Sequence, residues 1–139
     1  GDNPLWLSEG LATFFESADP RSSTGWAGAG KLNAYNLQQL RFYYRDRPGD
    51  SLTSLLTQDD RFRKGDTSAA AYGESWGLTF YLIKKKPKDF VSYLKKLRQR
   101  PPGNPSDAKQ RLEDFQDSFG PDLDKLDKEF GRMIAGLRP

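Results

Sequence analysis

The stretch from Thr67 to Lys86 limits the fold more than any other part of the chain. Thr67 or Ser68 can cap a helix there, and Pro87 stops it. Trp76, Phe80 and Ile83 mark one side, with Leu78, Tyr81 and Leu82 nearby, so apolar side chains occupy most of the circumference. A helix apolar nearly all round has to sit inside a protein rather than on it. The remaining chain must therefore supply elements with one apolar face each to surround it. No stretch shows sustained period-two alternation, and β-branched residues are scarce, so those elements are expected to be helices.

The helical pattern recurs on both sides. Pro4 to Ser17 carries Leu7, Leu11, Phe14 and Phe15 at helical spacing, with Asp2 or Asn3 as N-cap. Leu32 to Asp46 carries Leu37, Leu40 and Tyr44, with Tyr35 a further candidate for that face, and ends at Pro48-Gly49. Leu52, Leu55 and Leu56 suggest one or two turns capped by Asp50 or Ser51. Lys88 to Arg100 carries Phe90, Val91, Leu94 and Leu97, and Pro101 to Pro105 breaks it. A helix capped near Ser106 presents Leu112, Phe115 and Phe119. After Gly120-Pro121, a last one is lined by Leu123, Leu126, Phe130, Met133, Ile134 and Leu137. Residues 18–31 and 58–66 read as loops. Trp26 sits in the first of these, as a loop anchor or as the lining of a cleft. The expectation is an all-α chain of about six helices, one domain over residues 1–139.

The 139 residues suffice for one real core, to which nine Phe, six Tyr and three Trp bring large buried areas. Basic and acidic residues number 22 and 19, a mixed solvated surface of net charge +3 rather than a nucleic-acid footprint. The basic runs Lys84–Lys86 and Lys95–Arg100 fall at helix C-termini, where cations suit the helix dipole. No apolar run approaches the length of a membrane span. The chain has no cysteine and no histidine, which rules out disulfides and thiolate or imidazole metal ligands within it.

One acid stands out. Glu9 is followed by Gly10 inside the first helix, and an interior glycine costs about 1 kcal/mol against alanine. A helix that accepts this cost commonly has something packed closely against it or bound beside it. Trp6 and Thr13 lie at i−3 and i+4 on the flank of Glu9, and Leu7 and Leu11 anchor the opposite flank. Glu16 lies two turns further along the Glu9 face, either a partner of Glu9 or solvent-exposed. Tyr72, near the start of the central helix, is followed by Gly73-Glu74-Ser75-Trp76 and stands 63 residues after Glu9 (positions 9 and 72). Glu74 reads as an exposed acid.

The run Trp-Leu-x-Glu-Gly-x-Ala-x-x-x-Glu, from Trp6 to Glu16, resembles the gluzincin metallopeptidase helix that supplies the glutamate ligand of a catalytic zinc. The Tyr72 segment, Tyr-x-x-x-Trp-x-x-x-x-x-Leu, resembles the segment in which a tyrosine helps to stabilise the oxyanion. Together, over about residues 3–86, they are similar to the peptidase-MA-like group, including the bacterial proteins filed as domain of unknown function 1570. That resemblance implies that residues 1–100 are the C-terminal active-site helices of a gluzincin-like domain and 101–139 a C-terminal helical pair. It implies Glu9 as a zinc ligand, Tyr72 as a catalytic residue, and a peptide or protein as substrate.

The His-Glu-x-x-His helix that completes such a site is absent, since there is no histidine. The chain, which opens on Gly-Asp-Asn-Pro without Met, is therefore expected to be a piece of a longer protein that carries that helix upstream. By itself it is expected neither to hold zinc tightly nor to catalyse, and to leave apolar surface beside Gly10 and Ala12 uncovered or covered by a second copy. The alternative is a non-catalytic helical binding or scaffold module derived from such a fold, with Phe42, Tyr43 and Tyr44 as a partner surface.

Overall fold

The computed structural model describes residues 3–16, 32–101 and 107–138. The expectation for Trp26 and the 18–31 loop lies outside them. Among the described residues there are seven α-helices, one 3-10 turn and no strand. The helices are α1 (Leu5–Glu16), α2 (Ala34–Tyr43), α3 (Ser51–Thr57), α4 (Ser68–Lys85), α5 (Pro87–Arg98), α6 (Ala108–Phe119) and α7 (Leu123–Gly136). The Leu52–Leu56 stretch forms a helix of its own, which brings the number to seven.

The central position of α4 holds. It packs against α1, α2, α3, α5, α7 and the 3-10 turn Asp60–Phe62, while α6 closes the far side against α3 and α5. Trp76, Leu78 and Leu82 are fully buried. Burying one such side chain stabilises the fold by about 1.5–3 kcal/mol. Trp6 of α1 reaches between α5 and α6, where its ring lies 6.0 Å from Tyr93 and 5.9 Å from Phe115. The lysines at the ends of α4 and α5 occupy the last turns, as their spacing predicts.

Small residues on α4 set how closely its neighbours approach. A Cβ placed on Gly73 would lie 3.3 Å from the Asn36 carbonyl oxygen and 3.3 Å from the Leu40 amide of α2. A Cβ on Gly10 of α1 would meet the Ser75 carbonyl oxygen of α4 at 2.7 Å and collide with the Thr79 hydroxyl. The close approach implied by Gly10 is thus made within this chain. This corrects the expectation of an uncovered apolar surface: Gly10 is buried by α4, and only Ala12 is exposed.

The amide of Leu5 donates to Asp59 Oδ1 at 3.2 Å, a cap from a distant segment; of the two caps expected beside it, Asp2 lies outside the described residues. Asp59 in turn accepts two hydrogen bonds from the Arg111 guanidinium of α6. Glu74 is fully buried rather than exposed. It accepts from Arg47 Nε at 2.7 Å and Arg61 Nη1 at 2.8 Å, and from the Ser51 hydroxyl. Arg47 also makes a two-pronged pair with Asp127 of α7. Two cations and two anions balance, so no net charge is left buried. Burial opposes the charge on Arg47, but Asp127 and Glu74 outweigh it and hold the guanidinium above its ordinary value.

Candidate functional site

The tight crossings of α1 and α2 on α4 shape a groove of about 540 Å³ at the N-terminal end of α4. Glu9, Thr13 and Glu16 of α1 form one wall. They recur at i, i+4 and i+7, so they share one helix face. Asn33, Tyr35 and Asn36 line it from the start of α2, and Ser68, Ala69 and Tyr72 from the start of α4.

Glu9 and Tyr72, 63 residues apart in sequence, therefore line one groove. Each directly precedes a glycine seated at a helix crossing, Gly10 on α4 and Gly73 on α2. Glu9 is half-buried. Tyr72 is half-buried too, its ring held edge-on to Phe62 with centroids 5.2 Å apart. Glu16 is exposed at the end of α1 and still lines the groove. Trp6, three residues before Glu9 on α1, is fully buried in the core. The Thr13 hydroxyl donates to the carbonyl oxygens of Glu9 and Gly10, and this leaves its lone pairs available.

The groove also holds a residue that periodicity did not single out. Asn36 is 7% exposed, and its carboxamide has no hydrogen-bond partner among the described residues. Its own amide is capped by Asn33 Oδ1 at 3.0 Å, which fixes the start of α2 at the groove. The sequence signal was the Asn33 cap pattern, read as part of a helix that started one residue earlier.

The family model described as protein of unknown function (DUF1570) matches residues 1–104, three quarters of the chain. The chain belongs to the DUF1570 family. The match includes both walls of the groove, with Glu9 and Tyr72, and stops before α6 and α7. No curated protein and no solved structure matches this DUF1570 chain.

The donor set decides what the DUF1570 groove can hold by itself. A catalytic zinc takes three protein ligands and a water. Among the described residues no group of three His, Cys, Asp or Glu side chains converges. The groove offers the carboxylates of Glu9 and Glu16, and the sequence contains no histidine or cysteine. These residues alone do not make a zinc site. Among the described residues, no helix is long and apolar enough to cross a membrane.

Proposed function

We propose that this groove is one wall of a peptide-hydrolysing site of the gluzincin type. Glu9 supplies the glutamate ligand of a zinc whose histidine ligands lie on a segment outside these residues. When bound, zinc supplies the Lewis acidity for cleaving a peptide bond. The carboxylate of Glu9 carries negative charge to that point, and α1 holds it there by its crossing on α4. Tyr72 donates its phenolic O–H to the carbonyl oxygen of the scissile bond as negative charge grows on it. Such a donor is worth about 3 kcal/mol in the transition state. The edge-on contact with Phe62 fixes the Tyr72 ring, so little freedom is lost when the bond forms.

The observation that carries this reading is the convergence of Glu9 and Tyr72 on one groove from helices far apart in sequence. It is tested on the full-length protein that contains these 139 residues. Metal content and hydrolysis of a quenched fluorescent peptide are measured for the wild type, Glu9→Gln and Tyr72→Phe. Wild type should carry one zinc per chain, and Glu9→Gln should lose it. Tyr72→Phe should keep the zinc and lose about 10²-fold in kcat. Zinc retained in Glu9→Gln, or undiminished kcat in Tyr72→Phe, overturns the assignment.

A further inference from the structure

The groove does not end at Ala69. A second groove of about 370 Å³ opens on the other side of that residue, between α2 and the start of α4, and the two share Ala69 as a wall. Phe42, Asp46 and Asp66 line the second groove, and Ala70 extends its low floor.

Charge separates these two grooves from three others on the described residues. Glu9 and Glu16 line the first, Asp46 and Asp66 the second, and among the described residues neither is lined by a lysine or arginine. None of these four carboxylates has an ion-pair partner among the described residues. The chain as a whole has more cations than anions, 22 against 19. Three other grooves of similar volume are each lined by at least two cations, such as Arg41 and Arg45, Lys85 and Lys86, or Lys125 and Lys128.

A second feature points to a ligand. The carboxamide of Asn36, nine-tenths buried at the first groove, lacks a partner among the described residues. A buried amide offers both a donor and an acceptor, the pair that a peptide unit requires. The exposed face of α2 adds spacing. Tyr35 and Phe42, each 66% exposed, stand seven residues apart, two turns or about 10 Å along the helix. That rise matches about three residues of extended chain. Phe42, with Arg45 over its ring, lines both the acidic second groove and a neighbouring cationic one.

We propose that the two grooves form one cleft for an extended cationic polypeptide, with a lysine or arginine side chain taken up between Asp46 and Asp66. Its role as the substrate cleft of the Glu9–Tyr72 site rests on the peptidase reading; the binding itself does not.

The probes are a fluorescent decapeptide bearing two lysines and one leucine, and the same peptide with both lysines acetylated. Anisotropy titrations compare wild type, the double variant Asp46→Asn/Asp66→Asn, its two single variants, and Asp124→Asn, which matches each single variant in charge change at a distant groove. The double variant changes only exposed side chains, so its fold is preserved. Acetylation, and separately the double variant, should each weaken binding about tenfold. Added salt should weaken it further, and Asp124→Asn should not. Equal binding of the acetylated peptide, wild-type affinity in the double variant, or no binding of the lysine peptide at all overturns the cleft. Zinc content and hydrolysis, measured alongside, separate the two ideas. Loss of zinc in Glu9→Gln without any preference for lysine leaves the peptidase reading and removes the cleft. Binding that depends on Asp46 and Asp66 in a protein that neither holds zinc nor hydrolyses peptide does the reverse.

Discussion

Gly10 of α1 lies against the Ser75 carbonyl of α4, so closely that a Cβ at position 10 would come within 2.7 Å of that oxygen. The obstacle is backbone on a central helix, which cannot swing aside. Gly10→Ala should therefore destabilise the protein by about 1–3 kcal/mol, even though alanine is the better helix former. Gly136→Ala, at the end of α7 where an added Cβ meets nothing, should stay within about 0.5 kcal/mol of wild type. Urea unfolding midpoints check both.

The buried charges around Glu74 predict a larger effect. Glu74→Ala leaves Arg61 without its carboxylate and Arg47 with Asp127 alone. Removing one member of a buried pair costs about 3–5 kcal/mol. A loss below 1 kcal/mol in denaturant titrations would show that the network contributes little.

Capping of α1 from a distance is separately measurable. Asp59→Ala removes the acceptor for the Leu5 amide and the partner of Arg111. About 1–2 kcal/mol should be lost. Hydrogen exchange should quicken first in the opening turn of α1, with the amides of α4 still protected.

Alkaline pH should weaken the fold through its tyrosines. Burial, and next the hydrogen bond to Glu129, push Tyr81 up to about 12. Burial also pushes Tyr44 and Tyr93 up. A tyrosine in the unfolded chain titrates near about 10. Between these values the folded protein holds more protons than the unfolded one, so stability is complete below pH of about 10 and falls as pH rises toward 12. Tyr93→Phe should flatten the fall in the unfolding midpoint, and a midpoint independent of pH up to 11.5 would contradict this.

By contrast, the groove residues should be almost silent in stability. Glu9→Gln and Tyr72→Phe are near-isosteric changes at half-buried positions, and each should shift the unfolding free energy by no more than about 0.5 kcal/mol. Thermal melts of both variants beside wild type provide the check.

What was legible in the sequence was local. The apolar circumference of 67–86 marked the central helix, and the Pro and Gly breaks marked the boundaries of its neighbours. Gly10 signalled a close contact, but not with which helix. Glu74 was misread because its neighbours in sequence do not explain its burial: its partners Arg47 and Arg61 lie 27 and 13 residues away and converge only once α2, α3 and α4 pack. The Asp59 cap of Leu5 spans 54 residues for the same reason. At the groove, the spacing of Glu9 and Tyr72 was visible, whereas Asn36 became conspicuous only through its burial.

The two glycines also decide how the groove responds to an occupant. Glu9 and Tyr72 are each tied through the next residue to a crossing without slack, so neither wall can advance on a ligand without prising core helices apart. The groove works as a mould rather than a jaw. An occupant of the proposed cleft would meet walls already in place and would have to make any adjustment itself.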